Sequence, residues 1–452
     1  MSHHVLITVL DAFCSDMLSE SDTPHLWRFS RAWTSVPHAR SVFPSETRVC
    51  ASSLVSGCWP ERHGLTANYQ FMPEGGPLLN SGLPEDLRLW REYLAAASPD
   101  SEPVPDFGTT LARAGKTLLS VAAASDGCCT LLDRDATRHG HLRLAVRTPQ
   151  ACSSPEHHRK MVQRFGPVPE VRAADGTYTS ELLDYTVSVL LGHIRSDAPD
   201  AALCWLPEPD MAGHLFGTRS AQHRKALSDI DRQCGRILEW WENEGRRQGW
   251  QIIFMADHGM ADAAARHDIP AALREAGFEV SLSHEGQAVS ATRNKTTFRL
   301  LNAASGHARF DGAPDKEAIE DLIEALRPLC AELFLSDELL NDCPIPDVHP
   351  LSLLRCAHPL GPQIRFTLAG TTSGPGVPAG TTKTGFHGGL LFREMHPLLL
   401  AGGTGIRQAY EASCRSALPD IVPTALALLG VPVPDRMQGR VLNDILAESK
   451  EI

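Results

Sequence analysis

Short runs of consecutive apolar residues alternate along this chain with longer stretches in which apolar residues recur every three or four positions. The short runs, rich in β-forming residues, predict strands at Val5–Leu10, Thr117–Ala122, Ala201–Leu206, Gln251–Ala256, Ile364–Ala369 and His396–Ala401. The longer stretches predict amphipathic helices over Ser180–Ile194 and over Arg224–Glu244, where Leu227, Ile230, Cys234, Ile237 and Leu238 fall on one face. Strand and helix in alternation predict an α/β fold built on a mostly parallel sheet covered on both faces. Three Pro/Gly-rich or polar stretches, Met72–Pro84, Ala96–Gly108 and Thr371–Gly385, read as surface loops. Residues 267–363 carry their own helical segment, Lys316–Ala331, with few strand runs aligned with the rest. They read as an inserted cap on a catalytic core made of residues 1–266 and 364–452, and no internal repeat is visible.

Composition narrows the classes. At 452 residues, 42% hydrophobic and 21% charged, the chain is globular and long enough for one large domain with an insertion. Acidic residues outnumber basic ones by 54 to 42, and no basic run marks a nucleic-acid polymer or a membrane surface as partner. No run approaches the roughly 18 apolar residues of a membrane span, and the start has no basic, cleavable leader pattern. The 12 cysteines form no CxxC knuckles, so they read as thiols of a reduced cytosol, and the expected localisation is cytoplasmic. The oligomeric state is not legible.

In doubly wound sheets, functional residues collect just past the carboxyl ends of strands. Asp11, Asp210 and the pair Asp257–His258 stand at three such ends. A single Asp there is commonly a helix cap, but these coincide with histidines. Asp210 and His214 are spaced to share one face of a helical turn, Gly259 supplies a turn after His258, and His387 sits in Gly-Phe-His-Gly-Gly. A mixed carboxylate and imidazole set suits a catalytic divalent metal, where a structural zinc site would use thiolates.

The ordered segments Val-Leu-Asp-Ala, Phe-Pro-Ser-Glu-Thr, Ser-Gly-Cys-Trp-Pro-Glu-Arg-His-Gly-Leu, Pro-Glu-Pro-Asp-Met-Ala-Gly-His, Ala-Asp-His-Gly-Met and Gly-Phe-His-Gly-Gly, with the stretch from Asp420 to Arg440, resemble the nucleotide pyrophosphatase/phosphodiesterase branch of the alkaline phosphatase superfamily. The resemblance covers about residues 1–70, 180–265 and 360–445 and leaves the cap unmatched. It implies a three-layer α/β sandwich of the alkaline phosphatase type and a two-metal phosphoester hydrolase working through a phosphoryl-threonine. It places Asp11, Thr47, Asp257 and His258 around one divalent ion and Asp210, His214 and His387 around the other. Thr47 is then the nucleophile and Asn68 the ligand of a phosphoryl oxygen. The implied ions are zinc, with manganese as the alternative, and the implied partner is a small-molecule phosphoester or phosphonate. Metal coordination is one of the few ways to make a threonine hydroxyl nucleophilic at neutral pH.

Departures from that pattern bear on substrate. Arg48 follows the nucleophile where diesterases of the family carry an aromatic, and Cys50 replaces a familiar Asn. Gly388-Gly389-Leu390 is more similar to phosphonoacetate hydrolases and cofactor-independent phosphoglycerate mutases. A phosphonate hydrolase or a phosphomonoesterase is therefore the alternative reading, and a catalytically inactive metal-binding relative a further one. A sulfatase is set aside because Pro44-Ser-Glu-Thr-Arg lacks that family's internal proline. Arg48 either faces an anionic flank of the substrate or turns along its helix to a surface carboxylate. Lys383 is a candidate contact for a substrate anion. His63, His139, His307, His349 and His358 read as ordinary surface or loop histidines, and Asp229 and Asp231 as the solvated face of their helix.

Overall fold

The computed structural model describes residues 3–97, 104–262, 267–283, 288–301, 305–369 and 384–447. Its central sheet has eight strands in the order Tyr410–Glu411, Thr34–Ser35, Leu399–Gly402, Trp250–Met255, His4–Leu10, Ala201–Leu206, Leu118–Ala122 and Leu142–Ala145. The five from Trp250–Met255 to Leu142–Ala145 run parallel, and Leu399–Gly402 adds to them antiparallel. Every residue of Ala201–Leu206 and of Trp250–Met255 is buried. These strands are unbroken apolar runs because both faces of a parallel sheet are covered. Ala221–Asn243 packs against both Pro24–Ala32 and Ser180–Asp197, and Thr47–Ser56 packs against both Asp126–Leu132 and Ile421–Leu428. The first long helix starts at Ser180 as expected and the second at Ala221, three residues before the expected Arg224, because Thr179 and Ser220 accept the amides of Leu182 and His223, at 3.2 and 3.0 Å.

A second sheet of seven strands has its own apolar core around Phe298, Leu300, Ile319, Leu322 and Phe366. Its strand order is Glu279–Ser283, Ala288–Arg293, Thr296–Leu301, Ser305–Phe310, Ile364–Leu368, Cys330–Leu335 and His349–Pro350. Two expectations are corrected here. The strand Ile364–Leu368 pairs with Ser305–Phe310 and Cys330–Leu335, so it belongs to this sheet, and a boundary at 363/364 cuts through it. An apolar run records that a strand is buried but not which sheet buries it. The helix beginning at Lys316 ends at Leu326, because Pro328 has no N–H to continue it, and the chain becomes extended again at Cys330–Leu335.

The loop assignments change in part. Within Met72–Pro84 lies the strand Leu78–Asn80, which forms a hairpin with Tyr69–Phe71. Ala96–Gly108 overlaps the end of the helix Pro84–Ala97 and the start of Phe107–Arg113. Thr371–Gly385 falls almost wholly outside the described residues, as does Lys383. Asp231 is not on a solvated face. It is buried, and its two carboxylate oxygens accept the amides of His25 and Leu26, each at 2.9 Å, at the start of the helix Pro24–Ala32. His63 and His307 are buried as well.

The chain leaves the central unit through Ala261–Asp262 and re-enters through Gly385–Phe386, and these two short strands pair antiparallel as a stem. Among the described residues, no helix is long and apolar enough to cross a membrane.

Candidate functional site

The parallel strands deliver their carboxylates to one edge. Asp11 follows His4–Leu10, and its Oδ2 accepts the indole N–H of Trp205 at 3.0 Å. Asp257 follows Trp250–Met255, and its Oδ1 accepts the amide of Ala12 at 3.3 Å. Asp210 opens the helix Asp210–Phe216, which places His214 one turn on with Nε2 3.3 Å from Asp210 Oδ1. Thr47 is the first residue of the helix Thr47–Ser56. The stem sets His387 beside them.

Each histidine is aimed by its other nitrogen. His258 Nδ1 lies 3.0 Å from the Gly259 carbonyl, His387 Nδ1 2.7 Å from that of Ser45, and His214 Nδ1 2.8 Å from that of Gly385. A carbonyl only accepts, so the proton sits on Nδ1 and the Nε2 lone pair faces the site in all three rings. His258 Nε2 is then 3.3 Å from Thr47 Oγ1, 3.2 Å from Asp257 Oδ2 and 3.5 Å from Asp11 Oδ1. His387 Nε2 lies 3.4 Å from Asp210 Oδ1 and 3.2 Å from His214 Nε2, and its ring stacks on that of His258 with centroids 3.8 Å apart.

This arrangement fits cations. Two Nε2 lone pairs facing each other at 3.2 Å repel unless something positive lies between them. Asp11 Oδ1 and Asp257 Oδ2 are buried with no hydrogen-bond partner among the described residues. Burial pushes both carboxyls well above their ordinary range, helped for Asp11 by the neighbouring Asp257 and for Asp257 by Asp210. Burial also holds the His258 imidazole down to about 4, so it is neutral at neutral pH. Buried carboxylates beside neutral imidazoles are the donor set of a divalent metal, and without a cation they are costly. By distance the ligand atoms fall into two groups, Asp11–Asp257–His258 and Asp210–His258–His387, which share His258. The family resemblance assigns His258 to the first group.

The remaining expected residues fall in two places. Asn68 Oδ1 accepts the backbone N–H of Arg48 at 3.1 Å, which turns its amide donors away from that bond. Arg48 does not run along its helix to a surface carboxylate. Its Nε donates to Ser81 Oγ at 3.0 Å, and its guanidinium lies 5.8 Å from the Tyr69 ring.

Glycines at the site act by close approach. A Cβ on Gly259 would lie 1.8 Å from the Arg393 carbonyl oxygen, so the residue is needed for contact rather than for the turn expected of it. A Cβ on Gly389 would lie 2.6 Å from Glu394 Oε2, and Gly388 has φ of +112°. The Gly388-Gly389 departure thus has a packing cause independent of substrate.

Several supporting residues had no sequence signal of their own. Trp205 holds Asp11 from the neighbouring strand. Ser45 aims His387 through its carbonyl, and its hydroxyl accepts the Gly388 amide at 3.0 Å. Glu46, buried, accepts the Asn68 amide. Ser45 and Glu46 adjoin Thr47, so nearness to the nucleophile was the one available clue.

Comparison with known proteins gives the family and the fold. Residues 5–339 match the family model described as type I phosphodiesterase/nucleotide pyrophosphatase. An uncharacterized pyrophosphatase/phosphodiesterase of Schizosaccharomyces pombe is 25% identical over 263 residues, 57% of this chain and 44% of the relative. A bis(5'-adenosyl)-triphosphatase of Bos taurus is 23% identical over 261 residues, 58% of this chain and 48% of the relative. The chain thus spans about half the length of the curated relatives it matches. Murine ectonucleotide pyrophosphatase/phosphodiesterase 5, solved as an inactive variant in complex with AMP, superposes with a TM-score of 0.65 at 17% identity, covering 98% of this chain and 100% of that one.

Proposed function

Because this chain belongs to the type I phosphodiesterase/nucleotide pyrophosphatase family, we propose that it hydrolyses small phosphoesters through a phosphoryl-threonine formed on Thr47. The observation that supports the reading is the approach of His258 to Thr47, with Asp11 and Asp257 grouped around that imidazole and Asp210, His214 and His387 grouped beside it. Two divalent cations held there, zinc with manganese as the alternative, would lower the pKa of the Thr47 hydroxyl and neutralise charge on the attacking and leaving oxygens.

The chain's own residues supply the rest. Thr47 Oγ1 attacks phosphorus in line, the bond to the leaving oxygen breaks, and water then cleaves the phosphoryl-threonine and restores the hydroxyl. The Asn68 amide, held by the Arg48 N–H, donates to a non-bridging phosphoryl oxygen. The first amides of the helix Thr47–Ser56 add favourable partial charge. The twelve cysteines are free thiols, ten of them buried, which supports a reducing, cytoplasmic setting. Disulfides found in protein isolated from its host under non-reducing alkylation would rule that setting out.

The experiment is Thr47→Ala assayed on an aryl phosphodiester, with metal content measured in parallel. Turnover is expected to fall by a factor on the order of 10³ or more while the bound metal remains, because the Asp and His ligands survive. Activity within tenfold of wild type would remove Thr47 as nucleophile. Full activity of chelator-stripped protein would remove the metals.

A further inference from the structure

Among the described residues, three groups of histidine and carboxylate side chains bring donor atoms within 4.8 Å of one another. Two belong to the site at Thr47, and the third, Asp133, His139 and His141, has no part in the mechanism. It stands at the opposite edge of the central sheet. Asp11 and Asp257 follow the carboxyl ends of their strands, whereas His141 immediately precedes the amino end of Leu142–Ala145, an edge strand of the same parallel set.

Local structure holds the three residues together. Asp133 caps the end of the helix Asp126–Leu132, and its backbone carbonyl accepts Nη1 of Arg143 from the edge strand. His139 is the last residue of the short helix Ala136–His139. Gly140 turns the chain at φ of +72°, and the His141 amide then donates to the Ala136 carbonyl at 2.9 Å. The Asp133 carboxylate has little room to swing away, since a Cβ on Gly108 would lie 2.4 Å from its Oδ1.

The donor set repeats the logic of the site at Thr47. His141 Nε2 lies 3.3 Å from the Lys116 carbonyl, which only accepts, so a proton sits on Nε2 and Nδ1 is left to face Asp133 Oδ2 at 2.9 Å. Asp133 Oδ1 and His139 Nδ1 are buried with no hydrogen-bond partner among the described residues. A second proton on His141 would answer Asp133 Oδ2 alone, whereas a divalent ion takes one donor from each of the three side chains. The neighbouring arginines are engaged elsewhere: Arg134 holds Asp106 at 3.2 Å, and the Arg143 guanidinium donates to backbone carbonyls, among them Ala151 at 2.8 Å and Thr130 at 3.4 Å. The pairs His193–Asp197 and His349–Glu332 differ, because they are more exposed and neither has a third donor in reach among the described residues.

We propose that Asp133, His139 and His141 form a separate divalent-cation site, structural in role, which clamps the segment 133–141 to the start of the edge strand Leu142–Ala145. Two imidazoles and one carboxylate suit zinc or another late first-row ion, whereas calcium and magnesium favour all-oxygen sets. A cavity of about 530 Å³ borders Gly140 and His141 and gives the ion a way in, with water as a fourth ligand. The site is independent of the hydrolase reading.

The test loads chelator-stripped wild type and His139→Ala with zinc and measures the metal held per chain by plasma mass spectrometry. His139 is only partly buried, so the substitution spares the fold. The variant is expected to hold one zinc fewer per chain and to lose part of the rise in thermal midpoint that zinc gives wild type. Its turnover of an aryl phosphodiester should stay within about threefold. Asp133→Asn should lose the same ion, and where that variant fails to fold His139→Ala decides. To separate the two sites, Asp210→Asn and Asp257→Asn are combined to remove ligands at Thr47. This chain is expected to keep one zinc, and adding His139→Ala should weaken it at least about tenfold. Zinc content in His139→Ala equal to wild type would overturn the proposal and leave an Asp133–His141 ion pair only. Loss of all zinc on the Asp210 and Asp257 substitutions alone would overturn it as well, with the hydrolase reading intact. A wild type that hydrolyses no phosphoester yet holds a zinc that depends on His139 would sink the hydrolase reading and uphold this site.

Discussion

At the scale of single residues, carboxylates in this chain divide by what neutralises them. Those of the site face one another and imidazoles, whereas Asp106 is answered by an arginine and an amide. Its Oδ1 accepts the Thr109 amide at 2.7 Å at the start of the helix Phe107–Arg113, and its Oδ2 takes Arg134 Nη2 at 3.2 Å. Burial pushes this carboxyl up, but Arg134 and the Thr109 bonds outweigh it, so the group titrates below the usual aspartate range. A depressed folded-state pKa gives stability that is present above the unfolded value and lost as pH falls through the folded one. Asp106→Asn is therefore expected to cost roughly 1–3 kcal/mol at pH 6. Urea titrations should show the gap to wild type shrinking as pH drops below about 4, and a gap that is flat or widening there would contradict the assignment. The clustering of the expected carboxylates and histidines was legible because each is a titratable side chain in a recognisable neighbourhood. The groups that aim them were not. The carbonyls of Ser45, Gly259 and Gly385 belong to the backbone, which every residue has, and Trp205 reads as one more apolar strand residue.

Among elements, the stem strand Gly385–Phe386 and the helix Asp210–Phe216 meet with almost no clearance. A Cβ on Gly385 would lie 2.4 Å from the Gly213 carbonyl oxygen and 2.7 Å from Met260 Sδ. Backbone cannot yield as a flexible side chain can, so Gly385→Ala is expected to separate the strand from the helix and spread His214 from His387. Metal titration should then show weaker binding with little loss of helical signal by circular dichroism, and wild-type metal affinity would refute this view of the stem. Four of the five parallel strands were readable as apolar runs, while the short Leu142–Ala145, interrupted by Arg143, was missed; the two long helices were readable from their apolar periodicity and are capped by Thr179 and Ser220. The second sheet was obscured because its strands alternate in burial, as Thr296–Leu301 does, and antiparallel pairing leaves no long apolar run. Ile364–Leu368 misled for the opposite reason: buried throughout, it has the composition of a central parallel strand.

For the molecule as a whole, the second sheet touches the site's surroundings directly. Arg299 donates to the carbonyl of Met72 at 3.0 Å and to that of Gly76, and Arg365 donates to that of Thr66, two residues before Asn68. Phe298 is fully buried in this sheet's core, and Phe298→Ala is expected to cost about 3–5 kcal/mol. Hydrogen exchange should show the loss in Ile364–Leu368 and, through Arg365, in the segment 64–71. Exchange raised in the sheet alone would mean that the two units are uncoupled.

The pairing of Ala261–Asp262 with Gly385–Phe386 also bears on how the protein assembles. Bringing those strands together closes a ring of chain that contains the entire second sheet, and the entropy of such closure grows with the logarithm of the free chain it must tame. A sheet that has already collapsed shortens that free chain, as a splint shortens a lever. His387 follows the ring's closing strand directly, so its place beside the other site residues depends on that closure. During synthesis, the carboxylates of Asp11, Asp210 and Asp257 emerge from the ribosome well before that last imidazole can join them.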